Sequence, residues 1–187
     1  MKLSILICSL NKRASSLNLL VTEIRKQIDE SKRNDIEYLT CSDNGEMSIG
    51  SKRNHLVNIC TGEYICFVDD DDEIASNYIA TVMDGIDGGF DCCSLRGVIT
   101  WNGENAEVFE HSIRYKAYVT TTNAVKYERY PNHLNVIRKA IAVQFKFPEI
   151  SHGEDTDWAT RIHNSGLIKS EYYTDKILYH YKFIPNK

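Results

Sequence analysis

An apolar run that ends in four consecutive aspartates is the feature that most restricts the fold of this chain. The run covers residues 64–68, and the aspartates follow directly at residues 69–72. β-Branched and aromatic residues in such a run predict a buried strand. The carboxylates then lie at the carboxyl end of that strand, where open α/β sheets bind their ligands. Adjacent carboxylates favour a hard divalent cation, and a solvated acidic turn is the alternative.

Strands and helices alternate through the first hundred residues. The patterns predict strands at 3–8, 36–41 and 64–68 and helices at 15–30, 50–60 and 76–83. This order is typical of a mainly parallel sheet with right-handed crossovers and flanking helices. Further along, residues 98–101 and 106–109 predict a β-hairpin, because Asn102-Gly103 between them suits a type I′ turn. A strand at 134–137, helices at 139–145 and 154–164, and a last strand at 177–181 complete the prediction.

The length, net charge and cysteine content of the chain limit the class of protein. The 187 residues suit one domain, and a net charge of -4 argues against a nucleic-acid binder that works through a general basic field. The six cysteines form no CxxC pair, so buried free thiols and a cytoplasmic location are expected. We find neither a signal peptide nor an apolar stretch of about 20 residues, so no transmembrane segment is predicted. Peripheral contact with a membrane stays open.

Polar clusters follow each of the first three predicted strands. Ser9 follows the first strand, Asp43 the second and the aspartate run the third. If these strands are parallel neighbours, the three clusters meet at one sheet edge and form a pocket. Asp43 could there accept a hydrogen bond from a nucleotide base, since an ionised carboxylate only accepts. An Asx-turn in Asp43-Asn44-Gly45 is the alternative.

No glycine-rich phosphate loop is present. Neither GxGxxG after the first strand nor GxxxxGK[ST] occurs in the sequence. A diphosphate bound at this edge would therefore require a metal ion rather than a glycine cradle.

Six blocks of sequence, in order, resemble the family 2 glycosyltransferases. They are the opening strand with Ser9-Leu10-Asn11; Asp43-Asn44-Gly45; Gly50-Ser51-Lys52-Arg53-Asn54; the segment 61–72; Val136-Ile137-Arg138-Lys139 with Phe147-Pro148-Glu149; and residues 153–158, GEDTDW. The resemblance implies a GT-A fold of the nucleotide-diphospho-sugar transferase type, as a single domain over residues 1–187. Residues 1–100 would be the nucleotide-binding half and residues 101–187 the acceptor and catalytic half.

For the donor, the resemblance implies roles for residues of the first half. Asp69 would face the ribose with Asp70 beside it, and Asp71 would ligate the Mn²⁺ or Mg²⁺ that bridges the diphosphate. Asp43 and Arg53 would hold a uracil-type base, and Ser9 would line the same pocket. The donor is thus expected to be a UDP-sugar, although this chain has Cys8-Ser9-Leu10 where the family often has Pro-Thr-Tyr.

For catalysis, the resemblance makes Asp155 the expected general base. Family 2 enzymes invert the anomeric centre in one displacement, so the acceptor hydroxyl must lose a proton as it attacks. Glu154 and Asp157 are the secondary candidates, and a helix start that favours acidic residues is the alternative explanation. His180 is a further candidate metal ligand, although a histidine between tyrosines is more often packed. Trp158 is expected either to stack on a sugar or to pack in the core.

The sequence therefore predicts an inverting, metal-dependent glycosyltransferase that acts on a hydroxyl of a glycan or related molecule. One rival is a nucleotide-sugar nucleotidyltransferase, which usually has a glycine-rich basic loop after the first strand. The other is a non-catalytic module that binds a nucleotide sugar. Because the chain is short for this family, the acceptor site is expected to be shallow, completed by a second copy, or supplied by another domain of a longer chain.

Overall fold

Three parallel strands form the centre of the fold in this computed structural model, which describes residues 1–184. They are β1 (Leu3–Leu10), β2 (Ile36–Asp43) and β3 (Tyr64–Phe67), and β1 lies between the other two. Side chains of β1 alternate between two cores, because Leu3, Ile5 and Ile7 face one and Leu6 faces the other. A strand covered on both faces reads as a continuous apolar run, which explains the pattern in the sequence.

Among residues 1–184, nine further strands follow, and the twelve strands together form two sheets. In chain order the nine are β4 (Glu73–Ile74), β5 (Cys92–Cys93), β6 (Leu95–Trp101), β7 (Glu104–His111), β8 (Val119–Thr120), β9 (Tyr127–Arg129), β10 (Ile137–Arg138), β11 (Glu171–Tyr172) and β12 (Ile177–Phe183). The first sheet has the order β11-β5-β10-β3-β1-β2 and the second β4-β12-β6-β7-β9-β8. The short strand β10 runs antiparallel to both of its neighbours, so the first sheet is mixed.

Helices cover both faces of the first sheet. The helices are α1 (Ala14–Ser31), α2 (Ile49–Ile59), α3 (Tyr78–Asp87), α4 (Lys139–Ala142) and α5 (Glu154–Ser165). Apolar side chains of α1 and α3 belong to one core, and those of α2, α4 and α5 belong to the other. The predicted α/β class with a mainly parallel central sheet and flanking helices is confirmed. The helix predicted at 139–145 is shorter, since α4 ends at Ala142.

The predicted hairpin is part of a larger second sheet. Strands β6 and β7 are antiparallel, and Asn102 and Gly103 between them have φ values of 54° and 82°, as a type I′ turn requires. Strand β12 pairs parallel with β6 and antiparallel with β4. Each sheet contains strands from both halves of the chain, so the predicted division at residue 100 does not coincide with the division between the sheets.

All six cysteines are free thiols, as their sequence contexts indicated. Among residues 1–184, none of the helices combines the length and apolar character that crossing a bilayer requires.

Candidate active site

The ends of β3, β1 and β2 meet at one edge of the first sheet and border a cleft of about 700 Å³. The Oγ atom of Ser9 donates to Oδ2 of Asp70 at 2.6 Å, which joins the first and third polar clusters. Asn11 donates to the side chain of Asn44 at 2.9 Å, which joins the first and second. The structure thus brings the three clusters together, because their strands are parallel neighbours.

The four aspartates have two different environments. Asp70 and Asp72 are buried, at 3% and 4% exposed, whereas Asp69 and Asp71 present partly exposed side chains to the cleft. Asp70, predicted to lie at the donor, accepts hydrogen bonds from Ser9 and from Arg13. These hydrogen bonds stabilise the loop formed by the four aspartates. Asp70 is also one of the residues that line the cleft.

Strand β12 holds the loop of four aspartates in place through hydrogen bonds. The Tyr179 hydroxyl donates to Oδ2 of Asp72 at 2.9 Å and accepts from the backbone N–H of Asp69 at 3.1 Å. The backbone N–H of Lys182 donates to Oδ1 of Asp72 at 2.9 Å. Burial, together with the nearby charge of Asp69, raises the pKa of Asp72 to about 8.

Arg53 lines the cleft, although only 4% of the residue is exposed. Its Nε atom lies 3.2 Å from Oε1 of Glu154, and its Nη2 atom lies 3.4 Å from Oδ1 of Asp69. The guanidinium also covers the Phe67 ring at 4.7 Å. The predicted donor residue Arg53 and the secondary candidate Glu154 thus form a buried ion pair, and this pair joins α2 to α5 below Asp69.

His133 is the residue of this site that the sequence analysis missed. It is 5% exposed; its Nε2 atom lies 3.6 Å from Oδ2 of Asp69, and its Nδ1 atom lies 3.5 Å from Oδ2 of Asp155. Neither ring nitrogen has a hydrogen-bond partner among residues 1–184. Burial alone would raise the pKa of Asp69, but the contacts with His133 and Arg53 hold that pKa below its ordinary value.

Local backbone structure explains why Asp155 reaches the cleft. Helix α5 begins directly after Gly153, whose φ of 83° is one that glycine adopts without strain. The start of α2 packs against the segment before α5, where Gly50 donates to the carbonyl of Ile150 at 3.0 Å. A Cβ atom at Gly50 would lie 1.8 Å from the carbonyl oxygen of Pro148, so only glycine permits this approach. Asp155 is one-third exposed and lines the cleft.

Two predicted acceptor residues lie elsewhere. Trp158 is 2% exposed, stacks on Phe147 at 4.7 Å and donates to the carbonyl of Phe145. It is a core residue, which is the second of the two alternatives that the sequence left open for it. Asp157 points to the surface, where it pairs with Arg161 one helical turn away. The three acidic residues at the start of α5 therefore have different environments. Asp155 lines the cleft, Glu154 forms a buried ion pair with Arg53, and Asp157 forms a surface ion pair.

Asp43 organises the rim of the cleft without lining it. Its carboxylate accepts from the backbone N–H groups of Gly45 at 3.0 Å and Met47 at 2.7 Å, and it pairs with Lys52. The contact with Lys52 and these hydrogen bonds lower the pKa of Asp43 to about 2. The Asx-turn named as the alternative is thus present, and Gly45, Met47 and Lys52 form the cleft wall.

His180 is not close to the aspartates that it was expected to join. It is exposed on β12, between Tyr179 and Tyr181, and strand neighbours point to opposite faces. Since Tyr179 faces the acidic loop, His180 faces away from it, and it does not line the cleft. The arrangement gives no support to a metal contact from His180.

The remaining carboxylates fit a metal ion only together with a substrate. Within the described part of the chain, no group of three or more His, Cys, Asp or Glu side chains is placed to hold a metal by itself. Asp69 and Asp71 nevertheless present carboxylate oxygens to one cleft, with Arg13 Nη1 3.3 Å from Asp71. One or two carboxylates plus substrate phosphates are a common donor set for Mg²⁺, so these residues fit a shared cation.

A sequence profile described as "Glycosyl transferase family 2" matches residues 21–161. The chain therefore belongs to glycosyl transferase family 2, which confirms the resemblance seen in its motifs. A search of curated proteins finds no match.

Solved structures of TarS from S. aureus have the same fold. TarS 1–349 matches with a TM-score of 0.67 and 19% identity over 97% of this chain and 60% of that chain. Its complex with UDP-GlcNAc matches with a TM-score of 0.70 and 18% identity over 100% and 60% of the two chains. Its complex with UDP gives 0.67 and 19% over 99% and 61%. The chain therefore spans about 60% of the length of these TarS chains.

Proposed function

We propose that this chain transfers a sugar, with inversion, from a UDP-sugar to an acceptor hydroxyl. The observation that carries the proposal is the meeting of Asp69, Asp71 and Asp155 in one cleft at the carboxyl ends of three parallel strands. Membership of family 2 supports the reaction class. The TarS structures that hold UDP-GlcNAc and UDP support a uridine nucleotide as the donor.

The donor would lie along the wall formed by the ends of β1 and β2. Lys52 is nearly buried there and donates to the carbonyl of Ser9 at 2.6 Å, which holds α2 against β1. Asp43 keeps the loop at Gly45 and Met47 in place for the base. Asp69 would face the ribose, while Arg13 beside Asp71 adds positive charge where a diphosphate has to be bound.

Asp69 and Asp71 would hold a Mn²⁺ or Mg²⁺ together with the diphosphate. When bound, such a cation supplies Lewis-acid stabilisation of the charge on the leaving nucleotide diphosphate.

Asp155 acts as the general base in this proposal. The acceptor oxygen forms a bond to the anomeric carbon as the bond from that carbon to the β-phosphate oxygen breaks. The bonding electrons leave with the nucleotide diphosphate, and the acceptor proton passes to the Asp155 carboxylate. A single displacement inverts the anomeric centre. The His133 ring, 3.5 Å from Oδ2 of Asp155, restrains the orientation of this carboxylate.

Calorimetric titration with UDP, with and without Mn²⁺, tests the donor site. We expect binding that requires the metal in the wild type and is lost in Asp71→Ala. Asp175→Ala is the matched control, because Asp175 is exposed and outside the cleft. Failure of the wild type to bind UDP, TDP or GDP with metal would refute the proposal.

Slow hydrolysis of UDP-GlcNAc tests catalysis without a known acceptor. We expect metal-dependent release of free sugar in the wild type, and a rate at least about a hundredfold lower in Asp155→Asn, as loss of a general base produces. UDP affinity should be retained in Asp155→Asn. A non-catalytic module would bind UDP but release no sugar, and a nucleotidyltransferase would form the nucleotide sugar from a sugar phosphate.

A further inference from the structure

A second cavity, of about 330 Å³, opens beside the cleft and shares part of its lining. Asp69, His133, Asp155 and Tyr181 line both cavities. The second cavity, here called the side groove, is further lined by Ile99 and Trp101 of β6 and by Tyr127 and Arg129 of β9. The two cavities therefore meet at the carboxylate proposed as the general base.

From this groove we infer the chemical class of the acceptor: a sugar that carries a negative charge next to its ring, such as a phosphate or a carboxylate. The inference rests on the proposed function, because it assigns the side groove to the substrate whose hydroxyl Asp155 deprotonates. Apart from Asp69, which lines both cavities, the residues proposed to contact the donor lie in the other cavity or at its rim.

Exposed aromatic side chains in the side groove are the reason for inferring that it binds a sugar ring. Trp101 is 37% exposed, and Tyr127 and Tyr181 are partly exposed in the same groove. An aromatic face carries negative charge density, and the C–H groups of a sugar carry a small positive charge, so the two pack favourably. Trp101 is fixed for this contact by the Phe183 ring, whose centroid lies 4.5 Å away. The volume falls within the range of small-molecule sites.

Arg129 is the reason for inferring that the sugar carries a negative charge. It forms no salt bridge with a carboxylate in the described chain, whereas the cleft cations Arg13, Lys52 and Arg53 are each paired with one. Its Nη1 atom donates to the carbonyls of Val119 at 2.5 Å and Glu128 at 2.9 Å.

The Arg129 guanidinium also covers the rings of Tyr118 at 4.9 Å and Tyr127 at 5.5 Å. These contacts fix its position without neutralising its charge. A fixed guanidinium binds phosphate or carboxylate with defined geometry.

The two tryptophans of the chain give a direct test, because Trp101 lines the groove while Trp158 is buried. The indole N–H signals are followed by NMR in the presence of UDP and Mg²⁺, and Trp101→Phe assigns them. The probes are glucose, glucose 6-phosphate, glucuronate and inorganic phosphate. We expect glucose 6-phosphate or glucuronate to shift the Trp101 signal with an affinity about tenfold above that of glucose, or about 1.4 kcal/mol. The better of the two anions identifies the group that Arg129 binds.

Arg129→Gln should remove the preference for the charged sugar, and Arg129→Lys should keep part of it. Arg25→Gln is the matched control, because Arg25 also covers a tyrosine ring, at 5.3 Å, but lies outside the groove. Should Arg129→Gln not fold, the preference in the wild type must still weaken with added salt.

Equal affinities for glucose and the charged sugars would overturn the inference, as would inorganic phosphate alone acting as strongly as glucose 6-phosphate. The absence of any Trp101 shift would also overturn it. UDP binding is measured on the same samples, so a protein that binds UDP but shows no charge preference loses only this inference. A protein that does not bind UDP loses the proposed function.

Discussion

The Nδ1 atom of His133 lies 3.5 Å from Oδ2 of Asp155, and both residues border the two cavities at once. The opposite ring nitrogen lies 3.6 Å from Asp69. One buried ring thus spans the distance between the carboxylate of Asp69 and the carboxylate proposed as the base. If the proposed function holds, this ring helps to set the distance between donor and acceptor.

His133→Phe keeps a ring but removes both nitrogens. We expect the rate of UDP-GlcNAc hydrolysis to fall about tenfold or more, because Asp155 loses its restraint, while UDP binding changes much less. His163→Phe is the control, since His163 stacks on Tyr130 outside the cleft. Steady-state rates and calorimetric affinities make the comparison; a full hydrolysis rate in His133→Phe would contradict it.

Glu154→Gln should strongly destabilise the fold. Glu154 is 4% exposed and pairs with the buried Arg53, so the substitution removes one of its two counterions and leaves only Asp69, at 3.4 Å. Removal of one partner of such a pair costs about 3–5 kcal/mol. Asp157→Asn on the same helix breaks only the surface pair with Arg161 and should cost less than about 1 kcal/mol. Urea unfolding followed by circular dichroism measures both, and similar losses would contradict the expectation.

Tyr179→Phe should destabilise the protein by about 1–3 kcal/mol, because it removes a hydrogen bond to the buried Asp72 carboxyl group. It should also weaken UDP binding, since the same hydroxyl positions the backbone of Asp69. Tyr38→Phe is the matched control, because its partner Arg25 is exposed and can turn to water. Urea unfolding and UDP titration are measured on both variants. An unchanged UDP affinity in Tyr179→Phe would contradict the expectation that the Tyr179 hydroxyl positions Asp69 for UDP binding.

His111 should make the stability of the fold depend on pH. Burial lowers the pKa of this histidine to about 3, and Asn135 contacts its Nδ1 atom at 3.2 Å. The titratable groups that face it are His133 and Arg129. The unfolded chain takes up a proton near the ordinary value of 6.5, whereas the folded chain does not until about pH 3. The free energy of unfolding therefore decreases as pH falls through this window, by up to about 1.4 kcal/mol per pH unit.

His111→Gln removes that contribution and should flatten the dependence. Urea unfolding at pH 7, 6 and 5 gives the slopes for both proteins. Carboxylates titrate in both, so the difference between the slopes isolates His111. Parallel slopes would show that the folded protein binds a proton at this site.

Local patterns predicted most of the central sheet. Three apolar runs that alternate with amphipathic helices predict β1, β2 and β3. Ser9 and Asp43 lie at the carboxyl ends of β1 and β2, and Asp69 follows β3, so all three meet at one edge. Periodicity and end signals also located α5, and therefore Asp155. These features depend on residues that are close in sequence, so a single chain contains the information.

The missed features depend on contacts between distant segments. His133 reaches the site because β10 lies antiparallel beside β3, and nothing local indicates that pairing. The sequence alone does not indicate whether Trp158 faces the core or the cleft, because its buried position depends on stacking against Phe147, eleven residues away. The face of β12 that turns toward Asp72 decides whether Tyr179 or His180 approaches the acidic loop. A polar His133 immediately before a predicted apolar strand was the one available signal.

The contact between Tyr179 and Asp72 joins residues 107 positions apart. During synthesis, the acidic loop emerges long before the strand that fastens it. A nascent chain therefore carries four aspartates that repel one another in water, and the hydrogen bonds from β12 to Asp72 form only after residues 177–183 have been made. If the proposed function holds, we expect chains that end before Tyr179 to bind the nucleotide donor more weakly, because their acidic loop lacks this hydrogen bond.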